Sequence, residues 1–312
     1  MTESQEIKVI AEIGCNHMGS MDTAKELIRV AAKVCGAHVA KFQKRHNREL
    51  LTPEEYDRPH PVPANSYGDT YGEHREFLEF SVGQHKELQE ECRSMGIDYS
   101  TSVWDLTSAQ EIASLKPNLI KLPSATNQHY ALQDYLCKNY DGEIHVSTGM
   151  TTHDETDRLV KFYEDRGRAK DVVLYACTSG YPVAFEDICV LEINRLQERY
   201  GDRVKSIGFS GHHLGIAADI AAMTAGIIGR NLYGKGDFVY VERHFTLDRT
   251  WKGTDHAASL EPDGMRRLCR DLKNVRKAVT YKEKEMLDVE LVQRNKLKWR
   301  EETHGAQIRQ VS

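Results

Sequence analysis

Two histidines 32 positions apart, His212 in SIGFSGHHLG and His244 in YVERHFTLDRTWKGTDH, each stand just past a short β-branched or aromatic run. Each run ends in a polar burst: Ser210, His212 and His213 after the first, then Glu242, His244 and, further on, Asp255 after the second. A neutral imidazole is the commonest transition-metal ligand, and two of them with carboxylates nearby suit Mn, Zn or Fe. That separation matches no short metal motif, so the pair has chemical meaning only if both runs are neighbouring parallel strands. Two lysines carry a second clue. Lys41 in AHVAKFQ and Lys121 in NLIKLP lie inside apolar runs, where an ammonium is costly unless an anion accompanies it. That anion is either a phosphate held among hydroxyls and helix N-termini or a carboxylate of the chain itself, with Glu12 a partner for Lys41.

The elements that must position these groups read as an alternation. Strand-like runs occupy 7–13, 37–43, 96–101, 118–123, 143–148, 171–178, 204–210 and 237–245. Between them stand helical patterns, among them DETDRLVKFYED, VLEINRLQERY and IAADIAAMTAGII, with apolar and polar positions at helical spacing. Continuous apolar strands alternating with helices imply a parallel sheet covered on both faces. Eight such units predict an α/β protein built as a single (β/α)8 TIM barrel, residues 1–280, rather than a doubly wound sheet. A long Pro/Tyr/Gly/His-rich insertion, 44–82, follows the second strand at the end where active-site loops belong, and reads as a lid. The stretch 281–312 reads as a C-terminal tail, a docking helix followed by a frayed end, and not as a separate domain.

Composition narrows the function classes. With 40% hydrophobic and 29% charged residues the chain reads as an ordinary soluble protein with a full core. No apolar run approaches a membrane span, and the acidic, polar N-terminus has neither a basic segment nor a long apolar one; a cytoplasmic location is expected. A net charge of -5 without a basic cluster argues against a nucleic-acid partner. The seven cysteines, 15, 35, 92, 137, 177, 189 and 269, form no CxxC pair and read as reduced core residues.

In a barrel of this kind catalytic groups collect at the C-terminal ends of strands. Polar residues stand there on every strand: Glu12, Asn16 and His17; Lys41 and Gln43; Ser100, Thr101 and Ser102; Lys121 and Ser124; Ser147 and Thr148; Thr178 and Ser179; and the two bursts already described. Any one hydroxyl could be a helix cap. Eight polar ends together point to a site.

The segments AEIGCNHMGS, VAKFQ, KLPS, VSTGM, ACTSGYP, GFSGHHLG, VERHFTLD and DHAASLEPD, in this order, resemble the sialic acid (N-acetylneuraminate) synthase family over residues 7–287. The resemblance implies a (β/α)8 transferase of carbohydrate biosynthesis. It would condense phosphoenolpyruvate (PEP) with an aldose, N-acetylmannosamine or a related sugar, to give a 3-deoxy-2-ulosonic acid and phosphate. It further implies a divalent metal on His212 and His244, Mn2+ foremost, with Mg2+, Co2+ or Zn2+ as substitutes. PEP would lie on Lys41, Thr101 or Ser102, Lys121, Ser124, Ser147, Ser179 and Ser210; the sugar on Asn16, Gln43 and Tyr181; and Glu12, Glu242 and Asp255 would supply the catalytic carboxylates. A homodimer or higher homo-oligomer is implied as well. A different metal-dependent barrel aldolase, or a non-catalytic sugar-binding barrel partnering a true synthase, are the other readings.

Three departures bear on the acceptor. Relatives read FSDHT where this chain has FSGHH, so Gly211 removes a carboxylate and His213 adds an imidazole that is either a further ligand or a cap. PSATNQ replaces GSGE, placing Thr126 where a glutamate stands, and CTSGYP lacks the usual asparagine. The family's C-terminal antifreeze-like domain, whose arginine reaches the N-acyl group, has no expected counterpart in the roughly 30 residues after the barrel; the acceptor then either lacks an acetamido group or is an aldose of different length, a phosphorylated one included, or the 44–82 insertion closes the site instead.

Overall fold

The computed structural model describes residues 6–299. Eight parallel strands close a barrel in chain order: β1 (Lys8–Gly14), β2 (Val39–Lys44), β3 (Asp98–Val103), β4 (Leu119–Leu122), β5 (Glu143–Ser147), β6 (Val172–Cys177), β7 (Ser206–Gly211) and β8 (Phe238–His244). Each lies within two residues of its expected position. The connecting helices are α1 (Met21–Arg29), α2 (Asn47–Leu50), α3 (Pro53–Asp57), α4 (Tyr71–Phe77), α5 (Val82–Met95), α6 (Leu106–Ser114), α7 (Tyr130–Asn139), α8 (His153–Glu164), α9 (Glu192–Tyr200), α10 (Ala217–Tyr233) and α11 (Pro262–Ala278). The chain divides into two compact units, 1–276 and 277–312; the first contains the barrel and the second contains α12 (Asp288–Leu297). The end expected to fray, 300–312, lies outside the described residues. No described helix is long and apolar enough to cross a membrane.

Strand periodicity of two sorts the interior into layers. The uppermost inward positions are Glu12, Lys41, Ser102, Lys121, Ser147, Cys177, Ser210 and Glu242. Two residues earlier on the same strands stand Ile10, Val39, Leu119, Tyr175 and Tyr240, members of one buried apolar cluster. Gly208 on β7 makes room for this layer: a Cβ there would meet the Tyr175 ring at 2.7 Å. His145 completes it, fully buried, with Nδ1 2.8 Å from the Tyr175 hydroxyl and Nε2 3.0 Å from Glu143 Oε2. Register then locks the polar layer above: Glu12 stands opposite Lys41, Ser102 opposite Lys121, and Ser210 opposite Glu242.

The strand-end hydroxyls are not the helix caps. Those caps come from residues further along: Ser20 for α1, Ser81 for α5, Asp105 for α6 and Thr152 for α8 accept from the first-turn N–H groups. The insertion, expected as a long loop, is partly helical. Thr52 with Glu55 and Thr70 with Glu73 form capping boxes that start α3 and α4, an arrangement that satisfies end donors in helices otherwise too short to be stable alone.

Beneath the lid, His17 stacks on Phe80 at 4.1 Å, and His85 lies 2.7 Å from the Tyr99 hydroxyl with no exposed surface. Burial pushes both imidazoles down to about 3 from 6.5. A depressed folded-state pKa contributes stability above the unfolded value of 6.5 and loses it as pH falls toward 3, because only the unfolded chain takes up the proton. Each histidine should therefore contribute up to about 1.4 kcal/mol per pH unit in that window. Denaturant unfolding between pH 7 and 4 should show this slope, and His85→Gln should make it shallower.

Candidate active site

Ion pairs organise the centre of the barrel mouth. Glu12 Oε2 lies 2.5 Å from Lys41 Nζ, and Lys41 also donates to Ser102 Oγ at 2.7 Å. Glu242 receives Lys121 Nζ at 3.0 Å and the Ser210 hydroxyl at 3.1 Å, with Lys41 at 3.8 Å. All four charged side chains are buried. The carboxylate of the chain is thus the partner of Lys41, as one of the two sequence readings has it. Each ammonium has three donors, so both lysines retain N–H groups for a second anion. Tyr175 supports this layer from below, its ring centroid 3.5 Å from Lys121 Nζ.

The four groups titrate differently because their neighbours differ. Burial raises the Glu12 pKa above the ordinary glutamate value against the pull of Lys41 and His244. For Lys41, burial works against the charge, but Glu12 and Glu242 outweigh it and its pKa rises. Burial also works to raise Glu242, yet Lys121 and Lys41 together hold it well below the usual range. Lys121 is lowered, because burial exceeds what Glu242 restores. Glu242 is therefore a fixed anion, and of the two Glu12 is the better able to take up a proton.

Hydroxyls surround this centre. Ser124 and Ser179 share a hydrogen bond of 2.9 Å; with Ser102, Ser147 and Ser210 they line one cavity of ≈ 390 Å³ that also contains Lys41, Lys121, Gln43, Tyr181 and Asp255. Gln43 donates to Glu12 Oε1 at 3.3 Å. Two expected site residues face elsewhere. Thr101 has the wrong strand parity: it points out of the barrel and donates to the Tyr99 hydroxyl at 2.5 Å, leaving Ser102 as the residue on Lys41. Asn16 is buried outside the cavity, its amide donating to the Phe245 carbonyl and Ser259 Oγ, both at 2.9 Å, where it fastens the β8 loop.

His212 and His244 do converge, with ring centroids 5.4 Å apart and Tyr181 4.5 Å from the first and 5.9 Å from the second. His212 Nδ1 faces the Thr178 carbonyl at 3.0 Å; a carbonyl only accepts, so the proton sits on Nδ1 and Nε2 keeps its lone pair. Burial takes its pKa down to about 3. His244 Nδ1 is buried without a hydrogen-bond partner, 3.9 Å from Asp255 Oδ2. A neutral imidazole and an orphaned ring nitrogen fit two ligands of a divalent metal. Among the described residues no third metal-binding side chain joins them, so the remaining positions would fall to water or substrate oxygens. His213 is not part of this pair. Its Nε2 accepts from Arg243 Nη1 at 3.0 Å on the far side of β8, where Arg243 is also ion-paired with Asp219. Gly211 permits that packing, since a Cβ would meet the His213 ring at 2.8 Å.

Comparison with known proteins identifies the family. A model of the NeuB family matches residues 27–284. The chain belongs to that family. It is the sialic acid synthase family whose motifs the sequence resembles. This sialic acid synthase family member is 34% identical over 289 residues to N-acetylneuraminate-9-phosphate synthase of Homo sapiens, covering 93% of this chain and 76% of that one. It is 32% identical to N,N'-diacetyllegionaminic acid synthase of Legionella pneumophila, covering 96% and 82%. In fold it is similar to the N-acetylneuraminic acid (sialic acid) synthetase of Leptospira borgpetersenii, with a TM-score of 0.75 at 22% identity over 95% of this chain and 94% of that one.

The insertion, expected as a lid, supplies one wall of the cavity through residues the sequence did not single out: Arg45, His60, Tyr71, His74, Arg75 and Leu78, with Trp104 after β3. The available signal was the insertion's density of histidine, arginine and tyrosine, which reads only as loop composition until α4 turns these residues inward. The lid is joined to the β8 loop through Tyr67, whose hydroxyl donates to the Lys252 carbonyl at 2.5 Å and whose ring stacks on Phe77 at 4.9 Å.

Removing one partner of a buried pair strands the other charge, which costs about 3–5 kcal/mol. Glu242→Gln should therefore lower the unfolding free energy by about 3 kcal/mol, and adding Lys121→Met should return part of it. Equilibrium denaturation of the two single variants and the double variant measures this directly.

Proposed function

We propose that the chain condenses PEP with an aldose to form a 3-deoxy-2-ulosonic acid and inorganic phosphate. The observation that carries this reading is a single cavity in which two buried lysines among five serines face a pair of convergent histidines. The lysines and Ser102, Ser124, Ser147, Ser179 and Ser210 hold the phosphate and carboxylate of PEP, directing its C3 methylene toward the aldehyde carbon of the acceptor. Gln43 and Tyr181 stand where the acceptor lies. A divalent metal held by His212 and His244, Mn2+ foremost, supplies Lewis-acid polarisation of that aldehyde.

The protein's own groups account for the other steps. Bond formation between C3 of PEP and C1 of the aldose opens the aldehyde C=O bond to an alkoxide, which takes up a proton to become a hydroxyl, and leaves cationic character at C2, which the fixed Glu242 anion and the Glu12 carboxylate offset. Water then adds at C2 and gives its proton to Glu12, the carboxylate whose environment favours protonation. The tetrahedral hemiketal phosphate then breaks its C2–O bond to the phosphate while the C2 hydroxyl becomes the ketone and passes its proton to the departing phosphate, which is released onto Lys41 and Lys121. Asp255, near the unpartnered nitrogen of His244, positions that ring rather than moving the proton.

Phosphate release from PEP on a panel of aldoses tests the reading. Turnover should require Mn2+, stop on chelation and return on metal addition; metal-independent turnover would sink the roles of His212 and His244. Glu12→Gln should lower kcat by ~10²–10⁴-fold with a smaller effect on the KM for PEP, whereas Lys121→Met should act chiefly on that KM. No release with any aldose would leave a binding protein rather than a synthase.

A further inference from the structure

The floor of the barrel mouth holds a polar chain that none of the steps above uses. Tyr175 on β6 is fully buried, with its ring centroid 3.5 Å from Lys121 Nζ and its hydroxyl turned away from the cavity, 2.8 Å from His145 Nδ1. His145 Nε2 in turn lies 3.0 Å from Glu143 Oε2. The Tyr240 hydroxyl donates to the same oxygen at 2.8 Å, and Lys205 Nζ lies 3.0 Å from Oε1. Glu143 opens β5 and Ser147, which lines the cavity, closes it, so the chain runs from the lower end of the barrel to a cation at its mouth. Tyr175, His145 and Glu143 are not themselves among the residues lining the cavity.

Donors and acceptors fit in one order only. A carboxylate accepts, so the imidazole proton is on Nε2; Nδ1 then accepts, and the phenol must donate. The charge states agree with this order. Burial works to raise Glu143, but its bonds from His145, Tyr240 and Lys205 take its pKa down to about 2 and leave an anion. Burial lowers His145 by more than Glu143 restores, leaving a neutral ring. Burial also lifts Tyr175 well above the ordinary phenol value, so it keeps its proton. Hydrogen bonds in series polarise one another. The Glu143 charge draws on the His145 N–H, the imidazole becomes a stronger acceptor, and the phenol ring gains negative character. Lys121 sits on the face of that ring, and a cation is held over a π face more strongly where water is absent.

Lys121 needs such support. Burial works against its ammonium, Glu242 restores only part, and the like charge of Lys41 subtracts again; Glu242 is itself shared with Lys41 at 3.8 Å. Packing alone gives no reason for an imidazole at 145, where the surrounding layer is built of Ile10, Val39 and Leu119 with the two tyrosines and a buried polar group costs free energy unless it is satisfied. We propose that Tyr175 is a positioning residue for the PEP site: polarised through His145 by Glu143, its ring holds the Lys121 ammonium in place, so that PEP affinity is set in part from the opposite end of β5. The assignment rests on Lys121 as a ligand of PEP, and the test separates the two.

Calorimetric titration of the full chain with PEP, beside steady-state turnover, reads the effect. Tyr175→Phe keeps the ring and removes its hydroxyl, Glu143→Gln removes the charge at the far end, and Tyr175→Leu removes the ring. The Kd and KM for PEP should rise about 3-fold in the first two and ~10–30-fold in the third, with a smaller effect on kcat. Where a stranded partner unfolds a single variant, Tyr175→Phe combined with His145→Leu leaves neither ring orphaned and should weaken PEP binding as Tyr175→Phe does. The pH dependence of Kd supplies a readout that packing alone would not move. The groups facing Lys121 are Glu242 on β8, Lys41 on β2, Cys177 and Tyr175 on β6 and His145 on β5. Burial pushes Cys177 up to about 11 and Tyr175 higher, and Lys41 is raised as well, so Lys121 is the first of them to lose its charge on the basic side. A less supported ammonium loses its proton earlier, and the basic limb of PEP affinity should shift to lower pH in each variant. Unaltered affinity in folded Tyr175→Phe and Tyr175→Leu, or weaker affinity with an unmoved basic limb, would overturn the role of Tyr175. Binding of PEP without turnover of any aldose would count against the synthase reading alone, with the Kd values still deciding this one; a chain that binds no PEP would overturn both.

Discussion

The alternation of Glu12, Lys41, Glu242 and Lys121 is the constraint on which the mouth depends. Each charge by itself would cost several kcal/mol to bury, and the strands that supply them are far apart in sequence. Closure of β1 on β8 sets Glu12 opposite His244 and brings Glu242 within reach of both lysines. A barrel left open at that seam would strand Lys41 between one carboxylate and water. The polar layer is thus as much a product of ring closure as the apolar layer beneath it, and Tyr175 ties the two together by supporting Lys121 from below while its hydroxyl meets His145.

Balanced charge also explains how two lysines can be buried at the mouth. Lysines already paired to carboxylates need no counter-ion to be tolerated, yet each ammonium has donors left for a phosphate.

How much of this was legible beforehand follows from the range of each interaction. The eight strands were, because continuous apolar runs and helical spacing are local patterns. Lys41 and Lys121 were, because an ammonium inside such a run is conspicuous in any register. Thr101 and Ser102 could not be told apart, since strand parity depends on a boundary that sequence fixes only to within a residue or two. Asn16 looks like a site residue because it follows Glu12 closely, and only the path of the β8 loop shows its amide spent on Phe245 and Ser259. His213 is adjacent to His212 but faces Arg243, a distinction again of parity. Arg75 was hidden altogether, since only the path of α4 brings it to the cavity wall.

The helix caps, supplied by Ser20, Ser81, Asp105 and Thr152 rather than by the strand-end hydroxyls, separate two duties that one residue often performs at once. A serine that caps a helix cannot be exchanged without loosening the helix it begins. Here Ser124, Ser147 and Ser179, at the ends of β4, β5 and β6, cap no helix, whereas Thr148 and Thr178 beside them tie backbone carbonyls, so the serines are free of that duty. Chemistry at the mouth can drift toward another sugar while the architecture beneath stays as it is, and a family of related condensations can share one frame.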